Sequence, residues 1–157
     1  MNMLTALIWG FAATLVLTTL QAASRDFGFS RMDLPFILGT MFTSHRDRAK
    51  AIGFVVHLLN GWIFALFYIA VIEISGIRHW WFGMLIGLIQ GLFMITIVAQ
   101  ELPGIHPRMA DEERGPDSTR QLEPPGSFCM NYGKRTPLVA LISHMIYGAI
   151  LGFFYHH

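Results

Sequence analysis

Charge is scarce in this sequence. Only 13% of its 157 residues are Asp, Glu, Lys or Arg, about half the share of an ordinary soluble domain. The net charge is +1, so there is no basic excess to suggest nucleic acid as a partner. A single cysteine, Cys129, excludes an internal disulfide and any CxxC metal or redox motif. GxSxG, HExxH and paired carboxylates at helical spacing are all missing, which removes the usual hydrolase and zinc-protease signatures. The balance is toward a non-enzymatic protein.

Apolar residues take the place of charge. They make up 54% of the chain, and the mean hydropathy is +0.49. Residues 3 to 23, 51 to 72 and 79 to 99 are long apolar stretches, and 138 to 155 is a shorter one. About 20 apolar residues span a bilayer core as a helix. The pattern predicts an all-α, four-helix transmembrane bundle in one integral membrane domain, with helices over about 4–23, 51–72, 80–100 and 137–155. The first stretch has no Lys or Arg ahead of its apolar run and no A-x-A site after it, so it reads as a retained helix rather than a signal peptide. Thr136 and Pro137 suit the N-cap and first turn of the last helix.

The loops over 24–50 and 101–136 hold ten of the eleven Lys and Arg residues. The positive-inside rule places both in the cytoplasm and both termini outside it. The short turn around 73–79 predicts antiparallel, neighbouring second and third helices. Trp80 and Trp81 there suit an interfacial aromatic anchor, Glu73 an interfacial position, and His45 and His79 solvated loops. In the first loop, Leu34–Phe42 is apolar but too short to span, which suggests a re-entrant or interfacial segment. In the second, DEERGPDSTRQLEPPG reads as a mobile polar stretch, and Cys129 as an inert loop thiol.

Two segments echo each other. HLLNGWIFALFY at 57–68 and HMIYGAILGFFY at 144–155 share five of twelve positions: His57/His144, Gly61/Gly148, Ile63/Ile150, Phe67/Phe154 and Tyr68/Tyr155. LIWG at 7–10 is echoed by LIQG at 88–91. The simplest account is two tandem helical hairpins. Both histidines then lie about 10 Å inside the cytoplasmic ends of their helices. Gly53 and Gly61 bracket His57, and Ala140 and Gly148 bracket His144, one turn away on the same face. Such small residues permit either close helix contact or a flat slot beside each ring. Gly83, Gly87 and Gly91 form a further packing row.

Three readings follow. In the first, His57 and His144 share a cytoplasm-side intramembrane site for a transition-metal ion, or for a haem b held at both axial positions. Glu101, His106 and Asp33 are the further metal-ligand candidates. In the second, the histidines are structural struts in an accessory subunit of a larger membrane complex or of a self-associated form, with the glycine faces as docking surfaces. In the third, the chain is a small-solute, proton or ion transporter, with Thr18, Thr19, Gln21, Gln90, Thr96 and Gln100 as polar lining.

The opening GFAAT, the middle GFVVHLLNG and the closing HMIYGAILGFFY resemble the uncharacterised YagU-like bacterial inner-membrane proteins. The resemblance covers the helices, about half the chain. It implies a four-helix membrane protein with a histidine in the second and fourth helices, and it carries no activity. RMDLPFILGTMF and PGSFCMNYG depart from that pattern and suggest a distinct branch.

Overall fold

The structure, a computed structural model, describes residues 3–155; the terminal His156 and His157 lie outside the described residues. The fold is helical, and among the described residues the only β feature is an isolated bridge between Met109 and Leu122. The elements are α1 (Met3–Asp26), α2 (Leu34–Thr40), α3 (Arg46–Ser75), α4 (Trp80–Phe93), a π-helical segment (Met94–Val98), α5 (Ala99–Ile105), a 3₁₀ turn (Ser127–Tyr132) and α6 (Thr136–Phe154). Four helices are long and apolar enough to cross a membrane: α1, α3, the continuous run Trp80–Ile105, and α6.

Several boundaries differ from the sequence expectation. α1 continues to Asp26 and α3 begins at Arg46, because the charged flanks are compatible with helix ends. Arg25 sits in the last turn of α1 and Asp47 in the first turn of α3, each at the end where the helix dipole favours its sign. Thr136 does not cap α6. It is the first helical residue, and Arg135 holds the cap position. The Thr136 hydroxyl instead meets Ser30 at 2.8 Å, a partner 106 residues away.

α1 packs against α3 and α6, and α4 packs closely against α6. α3 and α4 are joined by the short link 76–79 yet make little contact with each other, contrary to the expectation from the short turn. The reason lies in the glycine row of α4, which is already engaged. A Cβ at Gly83 would overlap the Gly148 carbonyl oxygen, and one at Gly87 the His144 carbonyl oxygen, so α4 lies backbone to backbone on α6. The link begins at Gly76, whose φ of 69° ends α3 in the left-handed conformation.

The two long loops assemble into one polar cap at a single end of the bundle. The Arg31 amide donates to the Tyr132 carbonyl at 2.6 Å, Arg31 pairs with Glu123 at 3.2 Å, and the Arg108 guanidinium donates to the Thr40 carbonyl. The stretch expected to be a mobile loop is pinned locally. Asp111 accepts amides of Glu113 and Arg114, and Asp117 accepts those of Thr119 and Arg120. α2 lies against the first turns of α3, where Gly53 admits the Pro35 carbonyl and Gly39 the Ala49 carbonyl. At the opposite end, Glu73 accepts from Arg78 at 3.2 Å and from the Tyr155 hydroxyl at 3.0 Å.

Candidate functional site

His57 on α3 and His144 on α6 line the same cavity, of about 160 Å³, at the cap-ward half of the bundle. α1 contributes Thr14, Leu17 and Gln21 to it, and α2 closes it from below with Leu34, Ile37 and Leu38. The π segment presents Met94, Ile95 and Val98. A π insertion rotates the residues beyond it relative to a regular helix, and such insertions are frequent at functional sites.

The ring nitrogens show how each histidine is committed. His144 is 8% exposed, and its Nδ1 lies 2.8 Å from the Ala140 carbonyl. A carbonyl only accepts, so Nδ1 carries the proton and the neutral ring offers Nε2 as a bare acceptor. His57 Nε2 is buried with no hydrogen-bond partner among the described residues, and so is Gln21 Oε1. An unsatisfied buried polar group costs about 1–3 kcal/mol, and native proteins hold few of them. Both of these belong to residues that line this cavity.

Two tyrosines bound the site above. The Tyr147 hydroxyl donates to the Gly61 carbonyl at 2.6 Å, and Tyr68 to Gln90 Oε1 at 2.5 Å. Their rings meet edge to face, 5.3 Å between centroids.

The small residues around the histidines serve helix contact. A Cβ at Gly53 would overlap the Pro35 carbonyl, one at Gly61 the Thr14 side chain, and one at Gly148 the Gly83 carbonyl. Neighbouring helices thus fill the places where a porphyrin slot would lie. Gly91 is looser, with Leu141 and His144 side-chain atoms at 3.1 and 3.3 Å from a built Cβ.

The three other metal-ligand candidates sit elsewhere. Asp33 caps α2, accepting the Phe36 amide at 3.2 Å, and pairs with Arg25 at 2.5 Å. Glu101 is exposed and does not line the cavity. His106 is fully buried with both nitrogens used: Nδ1 accepts the Arg108 amide at 3.1 Å, and Nε2 donates to the Ile37 carbonyl at 2.9 Å. Burial pushes its pKa down, the Ile37 bond opposes this, and nearby Arg108 and Arg120 add to the lowering. Among the described residues, no three His, Cys, Asp or Glu come together to hold a metal ion. His45 and His79 are exposed.

Three contributors were not legible in the sequence. Asn60 and Tyr147 needed the helix rotations to be known. Cys129, read as a loop thiol, is buried and lines the cavity; burial pushes its thiol up to about 11. The chain matches no known protein family, curated protein or solved structure.

Proposed function

We propose that this protein is a multi-pass inner-membrane binding protein, with its polar cap in the cytoplasm and its termini outside. In this reading a small uncharged ligand occupies the cavity between His57 and His144. The observation that carries it is the convergence of unpartnered buried polar atoms, His57 Nε2 and Gln21 Oε1, with the bare His144 Nε2. The tandem-hairpin repeat accounts for two histidines at one depth.

Size and charge select among occupants. A cavity of about 160 Å³ matches one six-membered ring, since benzene fills an engineered cavity of about 150 Å³; a porphyrin is several times larger. A divalent metal ion meets a different obstacle. Among the described residues no Asp or Glu lines the cavity. Cys129, bound as a thiolate, would offset one of a divalent ion's two charges, leaving the other uncompensated in an apolar site at a cost of several kcal/mol. The glycine faces offered as docking surfaces for a larger complex are occupied by the chain's own helices.

The test is to purify the protein from native membranes, then combine elemental analysis, visible absorbance and mass spectrometry of an organic extract. The expected result is no stoichiometric metal, no Soret band, and an organic compound lost in His57→Ala and His144→Ala. A stoichiometric transition metal lost in the same variants would overturn the uncharged-ligand reading.

A further inference from the structure

The cavity is closed on most sides and bounded by two helices whose backbones stay largely apart, with the Tyr68–Gln90 hydrogen bond as a bridge between them. α1 packs on α3, α1 on α6 and α4 on α6, while α3 and α4 have little mutual contact. Yet both line the cavity: His57, Asn60 and Phe64 from α3, Gln90 from α4, and Met94 and Val98 from the π segment. Asn60 is exposed near the middle of the 30-residue α3. A polar amide turned toward hydrocarbon at that depth is costly and marks function. The cap end is shut by α2 and the 3₁₀ turn.

We infer that a ring bearing hydroxyl groups, carried on a lipid-soluble tail, enters this cavity sideways from the bilayer between α3 and α4. This inference rests on the ligand-site reading above and names the ligand's class. Hydroxyls suit the waiting atoms: His144 Nε2 is an acceptor by its tautomer, Gln21 Oε1 is an unpartnered acceptor, and His57 Nε2 meets a hydroxyl as donor or acceptor. A flat ring is required by the volume and suits walls of Phe64, Tyr147, Met32 and Met94, since methionine sulfur packs well on aromatic edges. The absence of any Asp, Glu, Lys or Arg from the lining calls for a neutral head. The tail follows from side entry: Asn60 lines the cavity and is exposed on a helix long and apolar enough to cross a membrane.

The experiment uses the full chain in lipid nanodiscs, with decyl hydroquinone as probe and its dimethyl ether as the control lacking donors, each corrected against empty nanodiscs. The hydroquinone is expected to bind saturably and at least about tenfold more tightly than the ether, the value of at least one lost hydrogen bond. Asn60→Trp, which plugs the mouth, is expected to slow association, and His144→Phe to reduce the preference over the ether. Equal affinity of the two probes in the wild-type protein overturns the hydroxylated-ring assignment, independently of whether any variant folds. An unchanged association rate in folded Asn60→Trp overturns the side entrance. An uncharged water-soluble compound recovered from the cavity, with no hydroquinone binding, sinks this inference but leaves the uncharged-ligand reading; a stoichiometric metal sinks both. A chain that retains nothing from its membrane and binds neither probe sinks both.

Discussion

His106 and His144 are both buried, yet their ring nitrogens are committed differently. His106 spends both on backbone, so it fastens the cap to α2. Its pKa is held below the ordinary histidine value by burial. Above about pH 6.5 both folded and unfolded forms are neutral and this contribution is complete. As pH falls through that value the unfolded chain takes the proton first, so stability declines until the depressed folded pKa is reached. Trypsin cleavage at the cap arginines, divided by the rate on an unfolded peptide at the same pH, is therefore expected to rise between pH 7.5 and pH 5.5. His106→Gln, which keeps a donor for Ile37 and cannot titrate there, is expected to flatten that pH dependence; an unaltered profile would remove His106 from the account. Cys129 gives a second residue-scale expectation. Its thiol is 4% exposed and pushed up to about 11, so maleimide should label it slowly at pH 7.5 in the folded protein and rapidly after denaturation. His57 stood out in the sequence because a titratable ring in an apolar run is conspicuous. Gln21 drew less attention, since an amide near a helix end has an ordinary explanation until its orphaned oxygen is seen.

At the scale of elements, the α4–α6 contact decides which glycines tolerate a side chain. Gly83 and Gly87 face carbonyl oxygens of Gly148 and His144, which are backbone and cannot step aside. Gly83→Val is expected to destabilise by about 3 kcal/mol or more, the upper range of overpacking, as read from unfolding in mixed detergent. Gly91→Ala meets side-chain atoms at 3.1 and 3.3 Å and a backbone Cα no closer than 3.4 Å, and should lose about 1 kcal/mol or less. Comparable losses at both positions would overturn the ridge assignment. The row itself was legible, because glycines at four-residue spacing share one face. Its partner was not, and the short turn pointed wrongly to α3. The π segment Met94–Val98 was equally hidden, since MITIV has the composition of any membrane helix.

For the whole molecule, the cap joins residues from both long loops, so both loops lie at one end of the bundle. Single cysteines introduced at His45 and Ser118, in a Cys129→Ser background, are expected to react with an impermeant reagent from the cytoplasmic side, and one at Arg78 from the opposite side. Labelling of His45→Cys and Ser118→Cys from different sides would break the cap; labelling of both from the periplasm would invert the orientation while leaving the cap intact.

The sequence by itself determined the helical class, the four apolar spans, the shared side of the basic loops and the candidacy of His57 and His144. Those features depend on composition and period, which are local properties of the chain. Only the tertiary structure decided that the glycines serve contact rather than a slot, that Asp33, Glu101 and His106 lie apart from the pair, and that α3 and α4 make little contact with each other. Each depends on which helix faces meet. That is settled by long-range fits such as Gly83 on Gly148 and Ser30 on Thr136, where residues distant in the chain compete for the same surface.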